Sequence, residues 1–122
     1  MAASRGGVVH IPWYATAMRG DKLQGALEEI APAALRFGAS HYELFRMRDD
    51  RYKFLQTATF ADPLDFERYW YGERFCAWRA LNSGYYQVPL IYGWADQLCA
   101  GSATVAGSQE MVSGAAELVA PE

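Results

Sequence analysis

The stretch that decides the fold is residues 41–60, HYELFRMRDDRYKFLQTATF. Two runs rich in aromatic and apolar residues, His41–Arg48 and Tyr52–Phe60, flank the turn-forming pair Asp49-Asp50. Aromatic or small apolar residues alternate with other side chains along the second run, which is the period of a β-strand. The stretch therefore predicts a β-hairpin in the middle of the sequence.

A strand and a helix are predicted before this hairpin. Residues 8–18 alternate between two largely apolar faces, and Pro12 cannot donate to a ladder, so this strand should lie at an edge or carry a bulge there. Asp21 is placed to cap a helix. The helix has an apolar stripe at spacings of three and four residues: Leu23, Leu27, Ile30, Ala34 and Phe37. Pro32 predicts a kink, and Gly38 predicts the end of the helix.

A second helix and a last strand are predicted after the hairpin. Residues 62–65, DPLD, supply an N-cap, a proline at the first helical position and an acidic residue three beyond the cap. We expect this helix to run to about Leu81, with apolar residues nearly all round, and Val88–Leu98 to form the last strand. The order is βαββαβ, which predicts an α+β domain with a ferredoxin-like antiparallel sheet.

Length and composition predict one folded domain, residues 7–98, followed by a tail, residues 99–122, that is rich in Ala, Gly and Ser. The chain has 122 residues, of which 52% are hydrophobic, 15% aromatic and only 20% charged, so it is too apolar to be a disordered chain. Val105, Val112, Ala115 and Val119 would align on a helix, so the tail is either a flexible extension or a short docking segment.

Charge and hydropathy restrict the classes of partner that we expect for this protein. The formal net charge is −3 and no basic run is present, which disfavours nucleic acid. The sequence has no secretory h-region and no apolar stretch of membrane-spanning length, so we expect a cytoplasmic protein without a membrane partner. Cys76 and Cys99 have no metal-ligand spacing, and we expect reduced, buried thiols and no metal site.

Large residues fall on both faces of the predicted strands. Helices on one side of the sheet would leave the other side bare, and its aromatic residues would form a larger apolar patch than monomers usually expose. We therefore expect a closed homodimer in which two sheets pack face to face.

The element order, the aromatic-rich second helix Phe66–Leu81 and the closing stretch PLIYGW at 89–94 resemble the dimeric α+β barrel proteins, in particular the antibiotic-biosynthesis-monooxygenase-like (ABM) domains. That group includes cofactor-independent oxygenases of polyketide-type aromatics and haem-degrading enzymes. The haem-degrading members use a histidine on the second helix as iron ligand, whereas His10 and His41 fall on predicted strands. The resemblance therefore implies a small-molecule enzyme with no tightly held cofactor.

Cofactor-independent oxygenation needs a base and a water-poor pocket. The candidate catalytic residues are His10 as base, Tyr14 on the same strand face, and Arg74 as a fixed positive charge for an enolate or phenolate. Seven aromatic residues are candidates for binding an apolar aromatic substrate: Trp13, Tyr42, Phe54, Tyr71, Trp78, Tyr92 and Trp94. The competing interpretation is that these aromatics are ordinary core and dimer-interface residues.

Two functions of different class remain open from the sequence. The first is an ABM-like enzyme, a cofactor-independent monooxygenase acting on an apolar aromatic molecule. The second is a non-catalytic dimeric binding or assembly module whose C-terminal tail docks on a partner protein. The surplus of aromatic residues favours the first, and the lack of a specific catalytic signature favours the second.

Overall fold

The structure, a computed structural model, describes residues 5–104, which hold four strands and three α-helices. Their order is β1 (Gly7–Tyr14), α1 (Gly20–Ile30), β2 (Ala39–Arg46), β3 (Lys53–Phe60), α2 (Pro63–Trp70), α3 (Glu73–Leu81) and β4 (Gly93–Ala95). The strands form one antiparallel sheet in the order β2-β3-β1-β4. This confirms the predicted α+β, ferredoxin-like class; the predicted tail beyond Thr104 lies outside the described residues.

The last strand is much shorter than the predicted Val88–Leu98, and Pro12 explains why it begins only at Gly93. Ala15 N–H donates toward β3, to Tyr52 O at 2.8 Å, so the nitrogens of even-numbered residues in β1 face β4. At Pro12 that nitrogen carries no hydrogen, and the β1–β4 ladder stops at the pair His10–Gly93. Strand β1 is therefore central along its first half and behaves as an edge at Pro12.

The predicted second helix is divided into α2 and α3 at Gly72. A Cβ built on Gly72 would lie 2.2 Å from Arg68 O, so only glycine fits where the chain turns between the two helices. The predicted start is confirmed, because Leu64 N–H donates to Asp62 Oδ1 at 2.9 Å. The prediction of one helix to Leu81 is wrong, and the division lets two short helices present different apolar faces.

The first helix changes form at its proline. Helix α1 ends at Ile30 and continues as a 3-10 helix, Ala31–Phe37, which ends at Gly38 in the left-handed region with φ 105°. The predicted stop at Gly38 is thus confirmed, whereas at Pro32 the chain changes from an α-helix to a 3-10 helix. Asp21 is not the cap, because the helix begins one residue earlier; instead its carboxylate lies 2.9 Å from Nη1 of Arg46.

The two sides of the sheet differ sharply. The helix side is the side covered by α1, α2 and α3, and on it β1 and β3 bury Val9, Ile11, Trp13, Phe54, Gln56, Ala58 and Phe60. The open face is the opposite side, which carries Val8, His10, Pro12 and Tyr14 of β1, His41, Glu43 and Phe45 of β2, and Lys53, Leu55, Thr57 and Thr59 of β3. All helices pack on one side, as the predicted order requires.

Both cysteines are exposed, so the expected burial of their thiols is wrong. Cys76 lies on the outer side of α3, whose buried residues are Phe75 and Trp78, and Cys99 lies in the segment after β4. Among residues 5–104, no helix is long and apolar enough to cross a membrane.

Candidate functional site

The open face carries a row of four residues from four neighbouring strands, and we call it the His10 row. His10 lies opposite Thr57 of β3 and Gly93 of β4, and Thr57 lies opposite Glu43 of β2. Because neighbouring strands are about 4.8 Å apart, the Cα atoms of His10 and Glu43 are separated by roughly 10 Å. An imidazole, a hydroxyl and a carboxylate thus point from one line of the sheet.

Gly93 leaves the position beside His10 unfilled. A Cβ built on Gly93 would meet nothing within 4 Å, and the residue is exposed. Trp94, the next residue, points to the other side of the sheet, where its ring packs edge-on against Phe66 at 5.4 Å. The imidazole of His10 is therefore exposed and has space on its β4 side.

Tyr14 shares the open face with His10 but is held elsewhere. Its hydroxyl donates to the carboxylate of Asp50 in the β2–β3 turn, and this hydrogen bond raises the pKa of Tyr14 above its ordinary value. Four residues along a strand span about 13 Å, so the two side chains do not meet. Tyr14 can form part of a wall around a ligand but does not contact His10.

Arg74 lies on α3, an element of the helix side, and is exposed. The sheet therefore separates it from His10 and Tyr14, and the three candidate catalytic residues do not form one cluster.

Three of the candidate substrate-binding aromatics, Trp13, Phe54 and Trp78, are buried on the helix side. The ring of Trp13 packs against Trp70, Phe75, Trp78 and Tyr86 with centroid distances of 5.1–6.3 Å. Around Trp13, the space between the sheet and α3 is filled by the chain's own side chains. Tyr42 is half-buried on the same side, packed against this core.

A buried chain of hydrogen bonds fixes this packing. Trp13 Nε1–H donates to Gln56 Oε1 at 3.0 Å, Gln56 Nε2–H donates to Tyr69 Oη at 3.1 Å, and the Tyr69 hydroxyl donates to Ile30 O at 2.6 Å. Burial raises the pKa of Tyr69 far above its ordinary value, so its hydroxyl stays protonated and remains a donor. The polar groups of Trp13, Gln56 and Tyr69 therefore hold the core together and are not free for a ligand.

The remaining three aromatics, Tyr71, Tyr92 and Trp94, gather at the margin of the sheet beside α2. Tyr92 and Trp94 both pack edge-on against Phe66, and the hydroxyls of Tyr71 and Tyr92 lie 3.5 Å apart. This hydrogen bond, together with partial burial, raises the pKa of Tyr92 to about 12. These residues form a half-exposed aromatic edge that lies apart from the His10 row.

Two clefts border the open face. One, of about 290 Å³, lies beside Pro12 and Tyr14 and is bordered by the loop that contains Val88 and Ile91. The other, of about 570 Å³, lies over β2 and β3 and is bordered by the segment after β4; its walls are Val8, Ser40, His41, Glu43, Thr57, Thr59, Gln97, Ala100, Gly101 and Ser102. Sequence reasoning missed Glu43, Thr57 and Thr59. Strand alternation alone would have placed Glu43 on the face of His41, whereas Thr57 and Thr59 join that face through the register of β2 with β3.

Within residues 5–104, no group of three or more His, Cys, Asp or Glu side chains lies close enough together to hold a metal ion. The ionisable groups of the open face are instead spread along the sheet, and His41 has one acidic neighbour, with its Nε2 3.4 Å from Oε2 of Glu43.

Comparisons with known proteins identify the fold. No protein-family model matches the sequence, and no curated protein is significantly similar to it. A structure named putative antibiotic biosynthesis monooxygenase from Nitrosomonas europaea matches with a TM-score of 0.69 at 12% identity, covering 80% of this chain and 95% of that one. One from Bordetella bronchiseptica with the same name matches with a TM-score of 0.67 at 11% identity, covering 79% and 100%.

A third solved structure is that of SnoaB, a cofactor-independent oxygenase from Streptomyces nogalater. It matches with a TM-score of 0.64 at 15% identity, covering 77% of this chain and 96% of that one. Together with the strand order and the helices on one side of the sheet, these matches show that the chain has the ABM-like, ferredoxin-like α+β fold.

Proposed function

We propose that the protein is a small-molecule oxygenase that works as a homodimer and oxidises an apolar aromatic substrate without a tightly held cofactor. The observation that carries the proposal is the His10 row, where an exposed imidazole has unfilled space beside it at Gly93. A solved structure with this fold is named as a cofactor-independent oxygenase, which supports the reaction class.

His10 is the general base of the proposed reaction. An acidic CH₂ group between aromatic rings, or a phenol conjugated with it, loses a proton to the imidazole and becomes an electron-rich anion. The anion reduces dioxygen. The CH₂ becomes C=O, so one oxygen atom enters the product, and the other leaves as water with the two hydrogens. Atoms and electrons balance with dioxygen as the oxidant, and His10 returns the proton it took.

The other residues of the open face orient and enclose the substrate. Thr57 and Glu43 offer a hydroxyl and a carboxylate to hydroxyl groups of the substrate, about 5 and 10 Å from His10 along the row. Tyr14 contributes an aromatic wall. Arg74 has no part in this proposal, because it lies on the helix side.

The homodimer is supported by apolar residues on the open face and its border. Tyr14 is 40% exposed and Phe45 43% exposed on the face itself, and Val88 and Ile91 are 75% and 71% exposed in the bordering loop. An apolar surface of this kind is usually covered by a partner. A second sheet packed face to face would cover it and exclude water from the His10 row.

The test is oxygen uptake with anthrone, which has a CH₂ group between two rings, followed by mass spectrometry of the product formed under ¹⁸O₂. We expect one labelled oxygen in the ketone. The variant His10→Gln should lower kcat by about 100-fold or more, the usual contribution of a general base. Lys22→Gln, an exposed substitution on α1, is the control and should keep the wild-type rate. Equal rates for His10→Gln and the control would refute the assignment of His10.

The alternative function, a non-catalytic dimeric assembly module, is favoured by one observation. Trp13, Phe54 and Trp78 are buried in the core, so much of the aromatic surplus already has a role in folding. Under this alternative, deletion of residues 105–122 abolishes binding of a partner protein, and no aromatic substrate is turned over. Turnover of anthrone that depends on His10 would exclude it.

A further inference from the structure

We propose that the larger cleft on the open face, which we call the His41 cleft, binds a neutral, hydroxyl-bearing small molecule and rejects carboxylates and phosphates. The cleft has a volume of about 570 Å³. Its floor is formed by β2 and β3, and its outer wall by Gln97, Ala100, Gly101 and Ser102 of the segment after β4. The inference deepens the proposed function, since it states the class of molecule that the open face selects.

The floor of the cleft is a regular pattern of polar groups. His41 lies opposite Thr59, and Glu43 lies opposite Thr57, so an imidazole, a carboxylate and two hydroxyls point from four adjacent positions of two paired strands. His41 Nε2 lies 3.4 Å from Glu43 Oε2. Each hydroxyl can both donate and accept, and the carboxylate accepts, which is the complement of a ligand with O–H groups.

The charge of the lining decides the class of ligand. None of the ten lining residues is a lysine or an arginine, and one, Glu43, is a carboxylate. An anionic ligand would find no permanent positive charge and would be repelled by Glu43 at short range. A neutral phenol or alcohol is not repelled by Glu43 and can donate its O–H to Glu43 or His41.

The outer wall supports a binding role, because its residues leave the cleft open. Ala100, Gly101 and Ser102 have small side chains, and the Gly101 Cβ position meets nothing within 4 Å. The wall thus covers the polar floor without filling the space between them. When two copies pair through their open faces as proposed above, the His41 cleft lies between the two sheets and becomes a chamber beside the His10 row.

The test compares two probes of the same shape, 2-naphthol and 2-naphthoate, by equilibrium fluorescence titration of the full chain at neutral pH. We expect 2-naphthol to bind roughly tenfold or more tightly than 2-naphthoate, which corresponds to about 1.4 kcal/mol of charge repulsion. The variant Glu43→Gln should bring the two dissociation constants together by making 2-naphthoate bind more tightly. Glu29→Gln, which removes the same charge from α1 on the helix side, is the matched control and should leave their ratio unchanged.

The location of the site is tested by Ala100→Trp, which places an indole on the outer wall at an exposed position. We expect this variant to weaken 2-naphthol binding, whereas Ala77→Trp, an exposed substitution on α3, should not. The inference is refuted if 2-naphthoate binds as tightly as 2-naphthol, if Glu43→Gln changes nothing beyond the control, or if Ala100→Trp leaves binding intact.

Failure of this inference and failure of the proposed function can be told apart. The titration needs neither dioxygen nor turnover. If anthrone is oxidised in a reaction that depends on His10 but 2-naphthol is not preferred over 2-naphthoate, the binding role of the His41 cleft is refuted and the oxygenase proposal stands. If 2-naphthol is preferred over 2-naphthoate but anthrone is not oxidised, the cleft stands as a binding site and the oxygenase proposal is refuted.

Discussion

The two sides of the sheet share the same strands but have opposite characters. On the helix side, Trp13 is completely buried and its N–H is satisfied by Gln56. One residue later, on the open face, Tyr14 is 40% exposed and donates to Asp50 in a surface turn. The aromatic residues of this chain therefore fall into two groups. Those buried on the helix side build the fold, and those on the open face, Tyr14 and Phe45, are exposed.

Truncation of Trp13 on the helix side should cause the greatest loss of stability. Trp13→Ala removes a fully buried ring that packs against four other aromatic rings, and it should lower the free energy of unfolding by about 3–5 kcal/mol. Tyr14→Ala, its neighbour on the open face, should cost no more than about 1 kcal/mol. Urea denaturation followed by circular dichroism measures both, and equal losses would contradict the division between the two sides.

The next effect concerns the polar chain inside the core. Gln56→Leu replaces the amide by an apolar side chain of similar size, and it leaves the Trp13 N–H buried without an acceptor. We expect a loss of about 1–3 kcal/mol in the same denaturation experiment. Thr59→Val, a substitution at a less buried position of the open face, is the comparison and should cost less. A Gln56→Leu variant as stable as the wild type would mean that the hydrogen bond to Trp13 does not contribute.

A charge at the border of the open face should have a smaller effect, on dimerisation. Ile91→Lys places a charge in the exposed apolar border of that face and should weaken the proposed homodimer by about tenfold, or 1.4 kcal/mol, because a paired sheet would bury the ammonium without a partner. Leu81→Lys, at an equally exposed position on α3, should leave the association unchanged. Sedimentation equilibrium over a range of concentrations distinguishes the two. If the wild-type protein is monomeric at all concentrations measured, the proposed homodimer is refuted.

The smallest effect on stability is expected from the pair Tyr71 and Tyr92 at the margin of the sheet. The hydrogen bond between the hydroxyls of Tyr71 and Tyr92 raises the pKa of Tyr92 to about 12, above the value of about 10 expected in the unfolded chain. A raised pKa of an acid means that the protonated form is favoured by folding, so the stabilisation is fully present below about pH 10 and is lost as the pH rises to about 12.

Tyr71→Phe should therefore be slightly less stable than the wild type at about pH 9, and the difference should shrink between about pH 10 and pH 12. Denaturation curves at several pH values, with absorbance at 295 nm reporting ionisation, measure this. A difference that is constant over the whole pH range would show that the pair of hydroxyls does not control the ionisation of Tyr92.

Much of the fold could be predicted from local patterns, and the exceptions have local causes as well. The hairpin at 41–60 and the cap at Asp62 follow from strand alternation and cap chemistry. The break at Gly72 was missed because the apolar pattern continues across it, while the close contact with Arg68 O that requires glycine is visible only in three dimensions. The short β4 was missed because its extent depends on Pro12, a residue of another strand.

The candidate site could be predicted only in part. His10 and Tyr14 were placed on one strand face by alternation, and the sheet keeps them on one face. Their distance from Arg74 depends on which side of the sheet the helices cover, and the alignment of His10 with Thr57 and Glu43 depends on the register of three strands. No local signal encodes register, because it is set by how whole strands pack.

Pro12 has one more consequence, which concerns aggregation. An edge strand with many free N–H and C=O groups can template the addition of strands from other molecules. Because Pro12 stops the ladder at His10, the edge strand β4 begins only at Gly93. It has three residues, Gly93–Ala95, and offers few such groups. The proline that shortens β4 therefore limits strand addition along that edge of the sheet, whereas the opposite edge strand, β2, keeps eight residues, Ala39–Arg46.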